Sequence, residues 1–250
     1  MRLIEKTMPE STWQERALRK YYYNRPGWKD GTTQFHELIR MFTPSGAKIL
    51  EVGAGPTNKT TAVLSTFGNV TGLDVDPAVR DNIHCQQAVV YDGVTIPFED
   101  NSVDLAVSNY VCEHIENPIQ LAREINRVLR PGGLYIFRTP NLWHYVSLIA
   151  KATPQWFHKR TANRVRNLPE ESHDPYLTYH RMNTRYACRR ILESSGFNIK
   201  VMKIIEAEPS YGMSSRLLFY PFMMWERLVN SSRIFECLRV NILCVATVRK

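Results

Sequence analysis

The feature that most narrows what this chain can fold into is the run Ile49-Leu50-Glu51-Val52-Gly53-Ala54-Gly55-Pro56-Thr57, an apolar stretch that ends in a glycine turn. Gly53 and Gly55 carry no Cβ, so the backbone there is free to take positive φ and to let a ligand lie against the peptide plane. Glu51, two residues before the first glycine, sits at the end of the strand and can reach over that ligand. After a helix-length interval Asn69-Val70-Thr71-Gly72-Leu73-Asp74 reads as a second buried strand ending in an acid. Glu51 and Asp74 are 23 residues apart, which suits one βαβ unit whose second acid accepts hydrogen bonds from a ribose hydroxyl pair. A nicotinamide fingerprint requires a third glycine where this chain has Asn58, so NAD is disfavoured.

Further pieces follow in order. They are Asp92-Gly93-Val94-Thr95-Ile96-Pro97-Phe98-Glu99-Asp100-Asn101-Ser102-Val103-Asp104, then Glu113-His114, and then Leu121 to Gly133 with the apolar run Leu134 to Phe137. Together with the glycine turn these residues resemble the motifs of the class I S-adenosylmethionine (SAM)-dependent methyltransferases, in particular the type 11 group that is similar to the ubiquinone and menaquinone biosynthesis enzymes. The resemblance covers about residues 45 to 140. It implies a doubly wound, mostly parallel seven-stranded Rossmann-like α/β sheet, with strands six and seven as an antiparallel hairpin. Residues 1–44 read as a helical amino-terminal lid and 45–250 as the methyltransferase domain, interrupted by insertions 139–182 and 206–239.

The same resemblance implies SAM as cofactor, held by Glu51, Gly53, Ala54, Gly55, Asp74, Val75, Asp92, Gly93 and Asn109. In it the glycine backbone lies near the methionine moiety, Asp74 takes the ribose, Asp92 approaches the adenine amino group and Asn109 approaches the methionine end. Thr57 stands where the family often has a third glycine. His114 is the candidate general base, because imidazole titrates near neutrality and this position flanks the transfer centre in the resembling fold. Related quinone-pathway enzymes bind a divalent metal through two acids and the histidine; here Tyr110 replaces the first acid, and no metal is expected. Asn141, His144 and Tyr211, from the two insertions, are the candidate acceptor residues.

Composition limits the remaining classes. At 250 residues, 44% hydrophobic and 22% charged, the chain is ordinary globular material with room for a sizeable core. Met1 to Lys6 carries charges where a signal peptide needs an apolar run, and Leu217 to Trp225 falls short of the roughly 20 residues of a membrane-spanning helix, so the expected location is cytoplasmic, with peripheral membrane contact left open. The five cysteines are scattered without C-x-x-C spacing, the pattern of free thiols.

The net charge of +8 is concentrated, since residues 151–190 hold nine Lys or Arg against three acids. Such a segment suits an anionic acceptor, a phospholipid surface or nucleic acid, or is simply a solvated helix face. The leading reading is methyl transfer to a small-molecule, lipid-linked or sugar-linked acceptor at oxygen. Alternatives are an RNA methyltransferase that uses the basic segment and a non-catalytic SAM-binding partner subunit. Nothing in the pattern fixes an oligomeric state.

Overall fold

The computed structural model describes residues 12–152 and 177–250. Seven strands, β1 Ala47–Val52, β2 Gly68–Asp74, β3 Gln87–Val90, β4 Val103–Asn109, β5 Leu129–Pro140, β6 Phe197–Ile205 and β7 Asn241–Val248, form one sheet in the order β3-β2-β1-β4-β5-β7-β6. The first five are parallel, and β7 runs antiparallel between β5 and β6. This is the expected doubly wound architecture.

Side-chain alternation decides how the layers attach. From β1, Leu50 and Val52 pack beneath α4 (Pro118–Val128) and α6 (Arg185–Ser194), against Leu121, Ile125, Ile191 and Leu192. Ile49 faces the opposite way, onto Phe35 and Ile39 of α2 (Gly31–Phe42) and Leu64 of α3 (Lys59–Leu64). A slip of one residue would exchange the two faces, so register is strongly specified. The amino-terminal stretch expected as a lid is thus two things: α2 is a wall of the core, while α1 (Trp13–Leu18), capped by Thr12 and continued by a π turn at Arg19–Tyr23, lies outside it.

Asn117 caps α4 by accepting the Gln120 N–H at 3.2 Å, and its Nδ2 lies 3.4 Å from the Gln120 side-chain oxygen. Strand five was expected over Leu134 to Phe137 only. It begins at Leu129, directly after the helix, because Leu129 pairs with Val103 before a register shift, and Gly132 takes φ +74° at the bend. It ends at Pro140 because β7 supplies partners as far as Asn241.

The insertion helix α7 (Arg216–Ser231) carries Pro221 in its second turn. Ser215 accepts the Leu217 N–H at 3.2 Å, and Pro221 sits close enough to the amino end to remove one interior hydrogen bond without ending the helix. In the other insertion the structure describes α5 (Tyr145–Ala152). Lys159, Arg160, Arg164 and Arg166, the centre of the expected basic patch, lie outside the described residues. No helix among the described residues is long and apolar enough to cross a membrane.

Candidate functional site

The carboxyl ends of β1 and β2 build the site. Gly53 takes φ +71° and Gly55 φ +54°, and the N–H groups of Gly53 and Ala54 both point to the Leu73 carbonyl, at 2.7 and 3.3 Å. The turn is thereby stitched to the neighbouring strand. Asp74 completes it: Oδ2 accepts the Gly55 N–H at 2.8 Å and Oδ1 accepts the Asp76 N–H at 2.9 Å. Each carboxylate oxygen retains a second lone pair, and Asp74 lines a cavity of about 1160 Å³. A Cβ on Gly55 would meet nothing within 4 Å, so open space lies over the turn.

Glu51 lies beneath the turn, 2% exposed, with Oε2 lacking a hydrogen-bond partner. Burial pushes its carboxyl up to about 7, with the Asp74 charge adding to the rise and hydrogen bonds from Thr61 and Asn58 opposing it. Glu51, Ala54 and Gly55 are not among the lining residues, but a buried carboxyl with an unspent oxygen beneath the turn is able to receive a donor or a cation.

Of the other expected cofactor residues, Val75 and Gly93 line the cavity with Gly53 and Asp74. Val75, Val94 and Ile119 are exposed apolar side chains in its walls, surfaces suited to the face of a planar ring. Asp92 is not among the lining residues; its Oδ1 accepts the Val94 and Thr95 N–H groups at 2.8 and 2.9 Å. Those backbone bonds lower its pKa and make it a loop cap. Asn109 also turns away. Its Nδ2 donates to Thr60 Oγ1 at 3.2 Å and its Oδ1 accepts from Arg138 Nε at 2.7 Å.

His114 lies in the turn Cys112–His114 after β4 and lines the cavity. Its Nδ1 is 3.1 Å from the Leu177 carbonyl oxygen, and a carbonyl only accepts, so Nδ1 carries the proton. Nε2 is then the basic nitrogen of the neutral ring. Neighbouring Glu113 has a structural part: its Oε2 accepts the Thr139 hydroxyl at 3.1 Å and its carbonyl accepts the N–H of Tyr179 at 2.8 Å.

Two of the expected acceptor residues, Asn141 and His144, are not among the residues that line this cavity. Asn141 is fully buried, with Nδ2 donating to the carbonyls of Cys237 and Arg239 at 2.6 and 2.7 Å, so it fastens the chain that enters β7. His144 is 1% exposed, packs on Tyr145 and Trp225, and has Nε2 3.5 Å from the Glu206 carboxylate. Both leave the strand end as expected but turn into the seam between the two insertions. Tyr211 stands in the 3-10 turn Ser210–Ser214. Sequence reasoning missed instead the far wall of the cavity, where Tyr186 and Arg190 project from α6 near Arg181. The available signal was their i,i+4 spacing on the polar side of that helix.

The sheet order and the glycine turn after β1 are those of the Rossmann-like class I methyltransferase fold. Residues 50–137 match the methyltransferase-domain family, and with the fold this supports a class I SAM-dependent methyltransferase. An uncharacterised methyltransferase of Mycobacterium sp. strain JLS is 37% identical over 98 residues, 38% of this chain and 39% of that protein. One from Mycolicibacterium gilvum strain PYR-GCK is 35% identical over 116 residues, 43% and 46% of the two chains. The chain therefore spans less than half the length of these curated relatives. Among solved structures, a SAM-dependent methyltransferase of Mesorhizobium loti superposes with TM-score 0.59 at 17% identity, covering 87% of this chain and 99% of that one. A putative sarcosine dimethylglycine methyltransferase of Galdieria sulphuraria gives 0.56 at 16%, covering 86% and 84%. At such identities the likeness is one of fold.

The residues present fit the cofactor the fold implies. A carboxylate with unspent lone pairs suits a ribose diol, a turn without Cβ atoms suits close backbone approach, and the orphaned Glu51 oxygen suits an ammonium-bearing tail.

Proposed function

We propose that this protein transfers a methyl group from SAM to an oxygen of a small-molecule or lipid-linked acceptor. The observation that carries the reading is the meeting of the Asp74 carboxylate and the Gly53 turn at the mouth of one large cavity. When bound, SAM supplies an electrophilic methyl on a sulfonium. Asp74 would hold its ribose, Glu51 its ammonium group, and Val75 and Val94 would supply apolar surface for its base. The cavity exceeds the roughly 300–1,000 Å³ of a typical single-ligand pocket, which leaves space for an acceptor towards His114. There the basic Nε2 receives the proton of the acceptor hydroxyl, and apolar walls limit water. Positioning supplies much of the rest.

Calorimetry tests the cofactor assignment. Asp74→Ala removes two charge-assisted hydrogen bonds of about 1.5–3 kcal/mol each, so SAM affinity drops at least tenfold. Unchanged affinity rejects it.

The lipid-linked acceptor is supported by α7. Leu217, Tyr220, Met224 and Leu228 are 85%, 52%, 63% and 50% exposed and recur at i, i+3, i+7 and i+11, an apolar stripe on the outer face of a helix whose inner face buries Phe219 and Val229. The ring of Tyr220 is 6.3 Å from that of Tyr21, over which Lys20 lies at 5.0 Å, and Arg16 and Arg19 are exposed nearby on the same amino-terminal element. An apolar stripe flanked by cations is the pair of signals that reversible membrane attachment requires. Co-sedimentation with phosphatidylglycerol-containing vesicles is expected for the native chain and lost in Leu217→Asp/Met224→Asp. No binding at low salt by the native chain favours a soluble acceptor.

A further inference from the structure

Arg138 closes the carboxyl end of β5, paired with Asn109 of β4 on one side and Leu243 of β7 on the other. It is only 4% exposed. Its hydrogen bonds go to neutral acceptors: Nε donates to Asn109 Oδ1 at 2.7 Å and Nη1 to Thr32 Oγ1 at 3.2 Å. Its Nη2 has no hydrogen-bond partner, and no carboxylate lies within ion-pair distance, among the described residues. Three acids act on it at longer range, Glu208 first, then Asp30, which caps α2, and Glu113, which accepts from Thr139. The guanidinium is sandwiched by rings, with Phe35 at 5.2 Å and Tyr110 at 4.4 Å. Cation–π contacts offset part of the cost of burying a charge, but an unneutralised buried cation remains expensive. Burial lowers its pKa and lowers that of neighbouring His36, on which the Arg138 charge also bears.

The cover of this cation is itself strained. Tyr110 takes φ +59°, a left-handed conformation that a bulky residue rarely adopts and that marks functional turns. Tyr110 is 40% exposed and lines the main cavity, so one side chain is both a wall of the ligand space and the lid on the guanidinium. Arg138 itself is not among the lining residues, whereas Tyr110, stacked on it, is. Gly31, whose added Cβ would lie 4.0 Å from Nη1, brings the α2 backbone close on the opposite side.

We propose that Arg138 is a binding site for an oxyanion, a carboxylate or phosphate group of a ligand in the main cavity, with Tyr110 as its gate. Two sources carry that chemistry: the amino-acid tail of the cofactor, or an anionic group on the acceptor. For the first source the inference rests on the SAM reading above; for the second it does not.

Calorimetry on the full chain separates them, using S-adenosylhomocysteine, 5′-methylthioadenosine (which lacks the carboxylate) and inorganic phosphate. If the tail is the source, Arg138→Gln weakens S-adenosylhomocysteine at least tenfold and leaves methylthioadenosine unchanged. If the acceptor is the source, both nucleosides bind as before, while phosphate binds the nucleoside-saturated native protein and not the variant. If neither nucleoside binds the native protein, the SAM reading fails and the phosphate titration alone decides. Identical S-adenosylhomocysteine and phosphate binding in native protein and variant overturns the proposal. Should Arg138→Gln not fold, Tyr110→Ala keeps the cation and uncovers it: anion-dependent binding tightens severalfold, and unaltered binding overturns the proposal equally.

Discussion

Glu51 is where stability and ligand binding pull in opposite directions. Its carboxyl is held at about 7, against an ordinary 4.5, by burial first and by Asp74 second. Because the folded state keeps a proton that the unfolded chain releases, the favourable contribution is complete below about pH 4.5 and is lost as the pH rises towards 7. The loss is on the order of 3 kcal/mol. Glu51→Gln removes this titration, so urea midpoints measured at pH 5 and pH 8 should differ less in the variant, which is also the more stable of the two at pH 8. Equal pH dependence in both proteins would place the titrating group elsewhere. The role of Glu51 beside a glycine turn was legible in the sequence because acid and turn are local. The fates of Asp92 and Asn109 were not, since their hydrogen bonds depend on a loop path and on Arg138 across the sheet.

At the scale of elements, the turn after β1 is held by packing from the segment that follows β4. A Cβ on Gly53 would meet Val111 Cγ2 at 2.2 Å, in a backbone already at φ +71°. Gly53→Ala therefore carries a left-handed penalty of about 1–2 kcal/mol and an overpacking penalty of about 1–3 kcal/mol. Adding Val111→Ala should recover the second and not the first, which chemical denaturation of the single and double variants will separate. Additive destabilisation would mean that the two residues do not share the contact. The elements themselves were readable where motif and periodicity agree, as in the helix and strand within Leu121 to Phe137. Boundaries moved where pairing with a distant strand decided them, as at Leu129 and Pro140.

Across the whole molecule, the amino-terminal helices and the late insertion act as one cover. Tyr22, fully buried, donates its hydroxyl to Glu226 at 3.1 Å, and Trp28 Nε1 donates to the Ala207 carbonyl at 2.9 Å. Burial raises the pKa of Glu226. Tyr22→Phe deprives that carboxyl of a donor, and a loss of about 1–3 kcal/mol is expected. Hydrogen exchange should accelerate together over residues 13–23 and 216–231; acceleration in the first alone would show that the two segments open independently. What the sequence determined by itself was the parallel sheet, the glycine turn and the Asp74 position, because each rests on a period or spacing within a few tens of residues. The tertiary structure alone decided that Asn141 and His144 turn into the seam between the insertions, that α6 walls the cavity, and that Arg138 is buried without a counter-charge. These depend on which surfaces meet across some tens to about a hundred residues of chain, and side-chain direction at such a meeting is set by packing rather than by any local pattern.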